Sequence, residues 1–140
     1  MQLTKHTDYA FRILIYVASM SDERTTIQKM AESLGVSKDH MKKIVQKLAS
    51  EGWLEASRGK NGGVSLGIEP DQLSLKKVVE LMEHTLAPVN CDSPVCVLKP
   101  NCELKNILLQ AQQQFIHYLD RFTLKDILNK SVFESIKLIE

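Results

Sequence analysis

Apolar positions over the first fifty residues recur at steps of three and four, the period of helices that bury one face. The run Ala10-Phe11-Arg12-Ile13-Leu14-Ile15-Tyr16-Val17-Ala18 is too long and too apolar for a strand, and it predicts a buried helix from Asp8 to Met20. After the turn signal Ser21-Asp22-Glu23, Thr26 is placed to cap a second helix with the stripe Ile27, Met30, Ala31 and Leu34. Gly35 suits the left-handed stop of that helix and Ser37 the cap of the next. The third helix repeats the stripe at Met41, Ile44, Val45 and Leu48 and stops at Glu51-Gly52. Two helices joined by a tight glycine turn outline a DNA-reading unit.

The period then changes. Trp53 to Ala56 and Val64 to Leu66 are short strand candidates around Arg58-Gly59-Lys60-Asn61-Gly62-Gly63, whose glycines permit positive φ in a hairpin wing. Pro70 closes this unit, and Ser74 is placed to cap a short helix carrying Leu75, Val78, Val79 and Met82. From Thr85 to Asn101 three prolines, Pro88, Pro94 and Pro100, interrupt any period and predict a loop that something must organise. From Cys102 to Phe122, Leu104, Leu108, Ala111, Phe115, Tyr118 and Phe122 keep heptad spacing, which predicts a helix about 28 Å long with a seam for a partner helix. Thr123 caps one last short helix around Leu124 to Leu128.

The expected fold is mainly α with a small β-hairpin wing: a winged helix-turn-helix at 1–70, a short helix and loop at 71–102, and a dimerisation helix with a C-terminal helix at 103–140. A length of 140 residues is enough to bury a core without disulfides, and 44% apolar with 25% charged residues is the balance of a globular protein. The start of the chain lacks the pattern of a secretory signal, and no apolar run approaches the roughly 20 residues of a membrane helix, so a cytoplasmic setting without a membrane partner is expected.

The formal net charge of +1 says nothing about nucleic acid, but its distribution does. Between positions 38 and 60 six Lys or Arg face three acids. With the third helix's stripe turned inward, Ser37, Lys38, His40, Lys42, Lys43, Gln46 and Lys47 fall on the outer side, where phosphate contacts supply affinity. Lys42, Lys43 and Gln46 are placed to read base edges in a major groove. Arg58, Gly59, Lys60, Asn61 and Gly62 form a basic turn suited to a minor groove. Any surface helix carries lysines; the order helix, turn, helix, basic hairpin is what favours double-stranded DNA.

Cys91, Cys96 and Cys102 are spaced C-x4-C-x5-C, without the paired C-x2-C of common zinc sites. Three thiols in a loop poor in apolar residues point to ligation, and thiolates are the usual ligands of iron-sulfur clusters. Three thiolates leave one iron open to a non-cysteine ligand, for which Asp8, His84, Asp92, Glu103 and His117 are candidates, and open to small molecules. A zinc or disulfide staple, or an iron-sulfur redox enzyme, are the rival readings. No acid-base constellation, phosphate loop or nucleophile motif lies beside the cysteines, so no enzymatic activity is expected.

With these features together, the chain resembles the bacterial regulator family that includes IscR, RirA and NsrR, over nearly its whole length. The opening Met1-Gln2-Leu3-Thr4, Thr7-Asp8-Tyr9, Arg58 to Gly63 and Val89-Asn90-Cys91 place the likeness nearest the nitric-oxide-sensing NsrR branch. The resemblance implies a homodimeric repressor on a partly palindromic operator and a 4Fe-4S or 2Fe-2S cluster on Cys91, Cys96 and Cys102. It further implies Asp8 of the partner subunit as the remaining ligand, and nitric oxide as the signal that relieves repression. A regulator of the same fold that senses iron or cluster supply is the alternative.

Overall fold

The computed structural model describes residues 2–20, 23–60 and 62–139. The turn signal at Ser21 and Asp22, and Asn61 of the expected wing, lie outside them. Among the described residues seven helices and one antiparallel hairpin follow in the order α1 (Lys5–Ser19), α2 (Ile27–Leu34), α3 (Lys38–Ser50), β1 (Leu54–Ser57), β2 (Gly63–Leu66), α4 (Leu75–Met82), α5 (Glu103–Leu119), α6 (Leu124–Ile127) and α7 (Lys130–Ile139). The mainly helical fold with a two-stranded wing is therefore as expected.

Helix α1 is the hub, in contact with α2, α3, α4, α6, α7 and β2. That is why Ala10, Ile13, Leu14, Tyr16 and Val17 are all buried, and why the run shows no polar face broad enough to signal amphipathicity. The stripe of α3, Met41, Ile44, Val45 and Leu48, packs into the same core. The predicted caps form: the hydroxyls of Thr26 and Ser37 accept from the backbone N–H groups of Lys29 and His40, and Gly35 takes the left-handed conformation at φ 63°.

The wing pairs Leu54 with Leu66 and Ser57 with Gly63. Strand β2 is held on its other side by Thr25, which exchanges both backbone hydrogen bonds with Val64 at 3.0 and 2.7 Å. Arg24 adds a side-chain brace, its guanidinium donating to Ser57 Oγ and standing 4.0 Å from Glu55. The segment before α2 thus adds one bridge residue to the hairpin, too short to show a period of two in the sequence.

Three expectations need correction. Ser74 does not cap α4 with its side chain, because its hydroxyl instead donates to Asp120 at 2.9 Å, joining α4 to the end of α5. The helix at Leu124 is not the last, since α7 follows and buries Ile136 in the main core. The loop after Thr85 is not without internal order. Asn90 Oδ1 accepts from the backbone of Asp92 and Ser93, Cys96 N–H donates to Cys91 O at 3.1 Å, Lys99 pairs with Asp92, and Lys99–Asn101 form a 3-10 turn.

Candidate nucleic-acid interface and cysteine loop

The outer face of α3 carries Lys38, His40, Lys42, Lys43 and Gln46 exposed, with Lys47 half-buried and the Ser37 cap exposed at its start. The inward stripe fixes this arrangement, since residues that pack against α1 leave the intervening positions no other direction. A cleft of about 500 Å³ separates α3 from the wing, with Lys42, Gln46, Arg58, Gly59 and Gly62 on its walls and Val45 and Val64 at its base. Helix and wing residues singled out from the sequence therefore share one concave surface. Lys60 is exposed on the same turn, and Asn61 lies outside the described residues.

The turn itself depends on glycine. A β-carbon on Gly62 would stand 2.5 Å from the Ser57 carbonyl oxygen and 2.7 Å from the Arg58 carbonyl carbon, and Gly59 holds φ at 107°. Neither arrangement tolerates a side chain without moving backbone.

On the other flank of α3, His6 from α1 and His84 from the segment after α4 join Lys43 and Lys47 around a pocket of about 170 Å³ floored by Ile44 and Met82. His6 and His40 rings meet edge to face with centroids 5.9 Å apart. His6 was not singled out from the sequence, because only the packing of α1 across α3 brings it here. His84, considered there as a ligand beside the cysteines, lies instead against α3.

Next to it, Glu83 accepts hydrogen bonds on Oε1 from Thr4 N–H at 2.8 Å, from the Thr4 hydroxyl at 3.1 Å and from the Thr7 hydroxyl. Partial burial pushes this carboxyl up, yet the bonds from Thr7 and Thr4, with the nearby His84, outweigh it and hold the pKa below the usual range. The start of the cysteine-bearing segment is thereby tied to the N-terminus of α1.

Cys91, Cys96 and Cys102 are free and half-buried. Among the described residues no three His, Cys, Asp or Glu side chains converge on one point as a metal site requires. The donor set nevertheless has the chemistry of an iron-sulfur site, three soft thiols within twelve residues, two of them already linked through the Cys96-to-Cys91 backbone bond. Of the other candidate ligands, Asp92 is engaged by Lys99, which holds its carboxyl below the ordinary range. Asp8 pairs with Arg12 at 2.8 Å one turn along α1, with both side chains about half exposed, and raises the guanidinium pKa. Glu103 opens α5 and His117 closes it, far apart along a 17-residue helix.

A helix with an exposed cationic face, a hairpin wing beside it and a shared core are the parts of a winged-helix regulator. The family model described as Rrf2, iron-dependent transcriptional regulator, matches residues 3–130, and the chain belongs to that family. Solved structures share the fold. CymR (YrzC), the global cysteine regulator of B. subtilis, is 23% identical, with a TM-score of 0.74 over 91% of this chain and 95% of that one. T. potens IscR is 16% identical, with a TM-score of 0.71 over 91% and 85%. The oxidized form of Staphylococcus aureus CymR is 20% identical, with a TM-score of 0.70 over 89% and 94%. The chain is thus a DNA-binding transcriptional regulator of the Rrf2 family, and among the described residues no helix is long and apolar enough to cross a membrane.

Proposed function

We propose that the chain is a homodimeric repressor that sets the outer face of α3 into the major groove of a partly palindromic operator and releases it on exposure to nitric oxide. The cleft between α3 and the wing carries the reading, because it gathers Lys42, Gln46, Arg58, Gly59 and Gly62 on one cationic concave surface. Ser37, Lys38, His40, Lys43 and Lys47 extend that surface along the helix, and Lys60 extends it along the wing. Lys42, Lys43 and Gln46 read base edges, and the remaining cations neutralise phosphates.

Dimerisation is assigned to α5. Of the stripe expected from the sequence, Leu104, Ala111 and Tyr118 are exposed, while Leu108, Phe115 and Phe122 are half-buried; Ile107, 60% exposed, joins the exposed residues in an apolar seam at heptad spacing. Two such chains present two α3 helices to two half-sites.

Cys91, Cys96 and Cys102 are assigned as the thiolates that hold an iron-sulfur cluster, 4Fe-4S or 2Fe-2S, with Asp8 of the partner subunit completing the set. A cluster held there would supply iron open to nitric oxide. The residues of the chain do the rest: the thiolates anchor the 91–102 loop, and Glu83 joins the start of that segment to Thr4 and Thr7 of the helix-turn-helix unit. A loop held or released at its cysteines thereby acts on α1, and through α1 on α3, as a switch between two binding states must. Asp8 serves by exchanging Arg12, which its half-exposed ion pair allows.

The family's description as iron-dependent supports a second reading, in which iron or cluster supply is the signal. Anaerobic purification followed by absorption spectroscopy and iron and sulfide analysis tests the thiol assignment. The expected result is a coloured protein with iron and sulfide in wild type and neither in Cys96→Ala. A colourless, zinc-loaded wild-type protein contradicts it.

A further inference from the structure

The two concavities on α3 lie on opposite flanks of its exposed face. At 100° per residue, Lys42, Val45, Gln46 and Ala49 of the wing cleft average roughly 160° around the helix from Lys43, Ile44 and Lys47 of the histidine pocket. The core stripe lies midway on one side of these flanks, and the outward face midway on the other. A helix is about 10–12 Å across with its side chains, and the major groove of DNA is about 12 Å wide. When the outward face of α3 points at base edges, each flank therefore meets the backbone of a different strand.

The wing supplies cations on one flank. On the other, the pocket of about 170 Å³ is walled by His6, Lys43, Lys47 and His84, and its size and four nitrogen-bearing side chains suit one tetrahedral oxyanion. No ion pair occupies Lys43 or Lys47 among the described residues. Glu83, between Met82 and His84 in the chain, is not part of the pocket lining and is bonded to Thr4 and Thr7. The floor of Ile44 and Met82, 2% and 5% exposed, belongs to the core, so the cations stand on a rigid base. The pocket draws on α1, α3, the end of α4 and the segment after it, so it is assembled by the tertiary fold.

We propose that His6, Lys43, Lys47 and His84 form a phosphate pocket that holds a backbone phosphate of the DNA strand opposite the one met by the wing. This rests on the DNA-binding reading above, extends it to His6 and His84, and moves Lys43 from the base edges to the backbone. The two flanks then clamp α3 between both strands and fix how deeply it enters the groove, the positioning role of phosphate contacts. Because His84 follows Glu83, the same pocket joins the DNA backbone to the segment leading to the cysteines.

The test scans an in vitro selected duplex with single neutral methylphosphonates, using the full-length wild-type protein, the double variant His6→Gln/His84→Gln and Lys47→Ala. Fluorescence anisotropy is read over a range of salt. At one position on the strand away from the wing, the methylphosphonate is expected to weaken wild-type binding several-fold and the double variant no further. Lys47→Ala is expected to lose about 5-fold at about 0.15 M salt, equally on specific and random duplexes, with a salt slope shallower by about 1. Equal losses for wild type and double variant at every methylphosphonate position overturn the pocket assignment while leaving DNA binding intact. So does a pocket that takes only a free ion: inorganic phosphate would then shift the His6 and His84 imidazole resonances, with no coupling to the duplex. The wild-type scan needs no variant to fold. A wild-type protein that binds no duplex overturns the DNA-binding reading itself and this inference with it.

Discussion

Glu83 shows how one side chain can join two parts of the chain 76 residues apart, since the hydroxyl of fully buried Thr7 donates to its carboxylate. Replacing it with Ala removes the acceptor for the Thr4 backbone N–H and both threonine hydroxyls. The expected cost is about 1 to 3 kcal/mol of unfolding free energy, measured by urea denaturation. Because the folded-state pKa is lowered, this contribution is complete above the ordinary carboxylate range and is lost as pH falls through the lower folded value. Glu83→Ala is therefore expected to flatten the acid limb of the stability profile and to leave its alkaline limb unchanged. None of this was legible in the sequence, where Glu83 reads as a surface charge after a short helix. The three cysteines were legible because their spacing is unusual for the composition around them. That no three ligand side chains meet at one point among the described residues was not, since it depends on how a proline-rich loop closes.

Among the elements, caps and stripes were read correctly wherever the signal was local, as for Thr26, Gly35 and Ser37 around the helix-turn-helix. They failed where a side chain found a distant partner, as Ser74 did in Asp120, whose carboxyl that bond holds below its ordinary range. Helix α7 was missed because its stripe, Val132, Phe133 and Ile136, spans little more than one turn, and the helix is fixed by packing on α1. The wing offers a direct test of an element in function. Gly62→Ala forces the turn to move, because its β-carbon would overlap the Ser57 carbonyl. It is expected to weaken operator binding at least several-fold while the melting temperature, set by the α1-centred core, changes little. Equal loss of both would show that the wing is part of the global folding unit. For α5, Ile107→Glu places a charge in the exposed seam and is expected to yield monomers by sedimentation velocity. A dimer of unchanged strength would assign the interface elsewhere.

At the scale of the molecule, a single hydrophobic cluster runs from Ala10 to Ile136, so α4, α6 and α7 share the core that supports α3 and the wing. The overall charge of +1 conceals a local division, six Lys or Arg against three acids between positions 38 and 60, on α3 and the wing. That division was legible from the order of elements, but the second concavity beside His6 and His84 required the fold. The same unity makes a switch physically reasonable, since the cysteine-bearing segment starts from a residue bonded to α1. The central claim is that the state of the Cys91–Cys102 loop sets affinity for DNA. Its most direct test is anaerobic titration of iron-loaded protein onto its selected duplex, before and after stoichiometric nitric oxide, for wild type and Cys96→Ala. The account predicts at least a tenfold loss of wild-type affinity on nitric oxide, roughly 1.4 kcal/mol or more of coupling, and no response in the variant. Wild-type affinity unchanged by nitric oxide, or an identical response in Cys96→Ala, contradicts it.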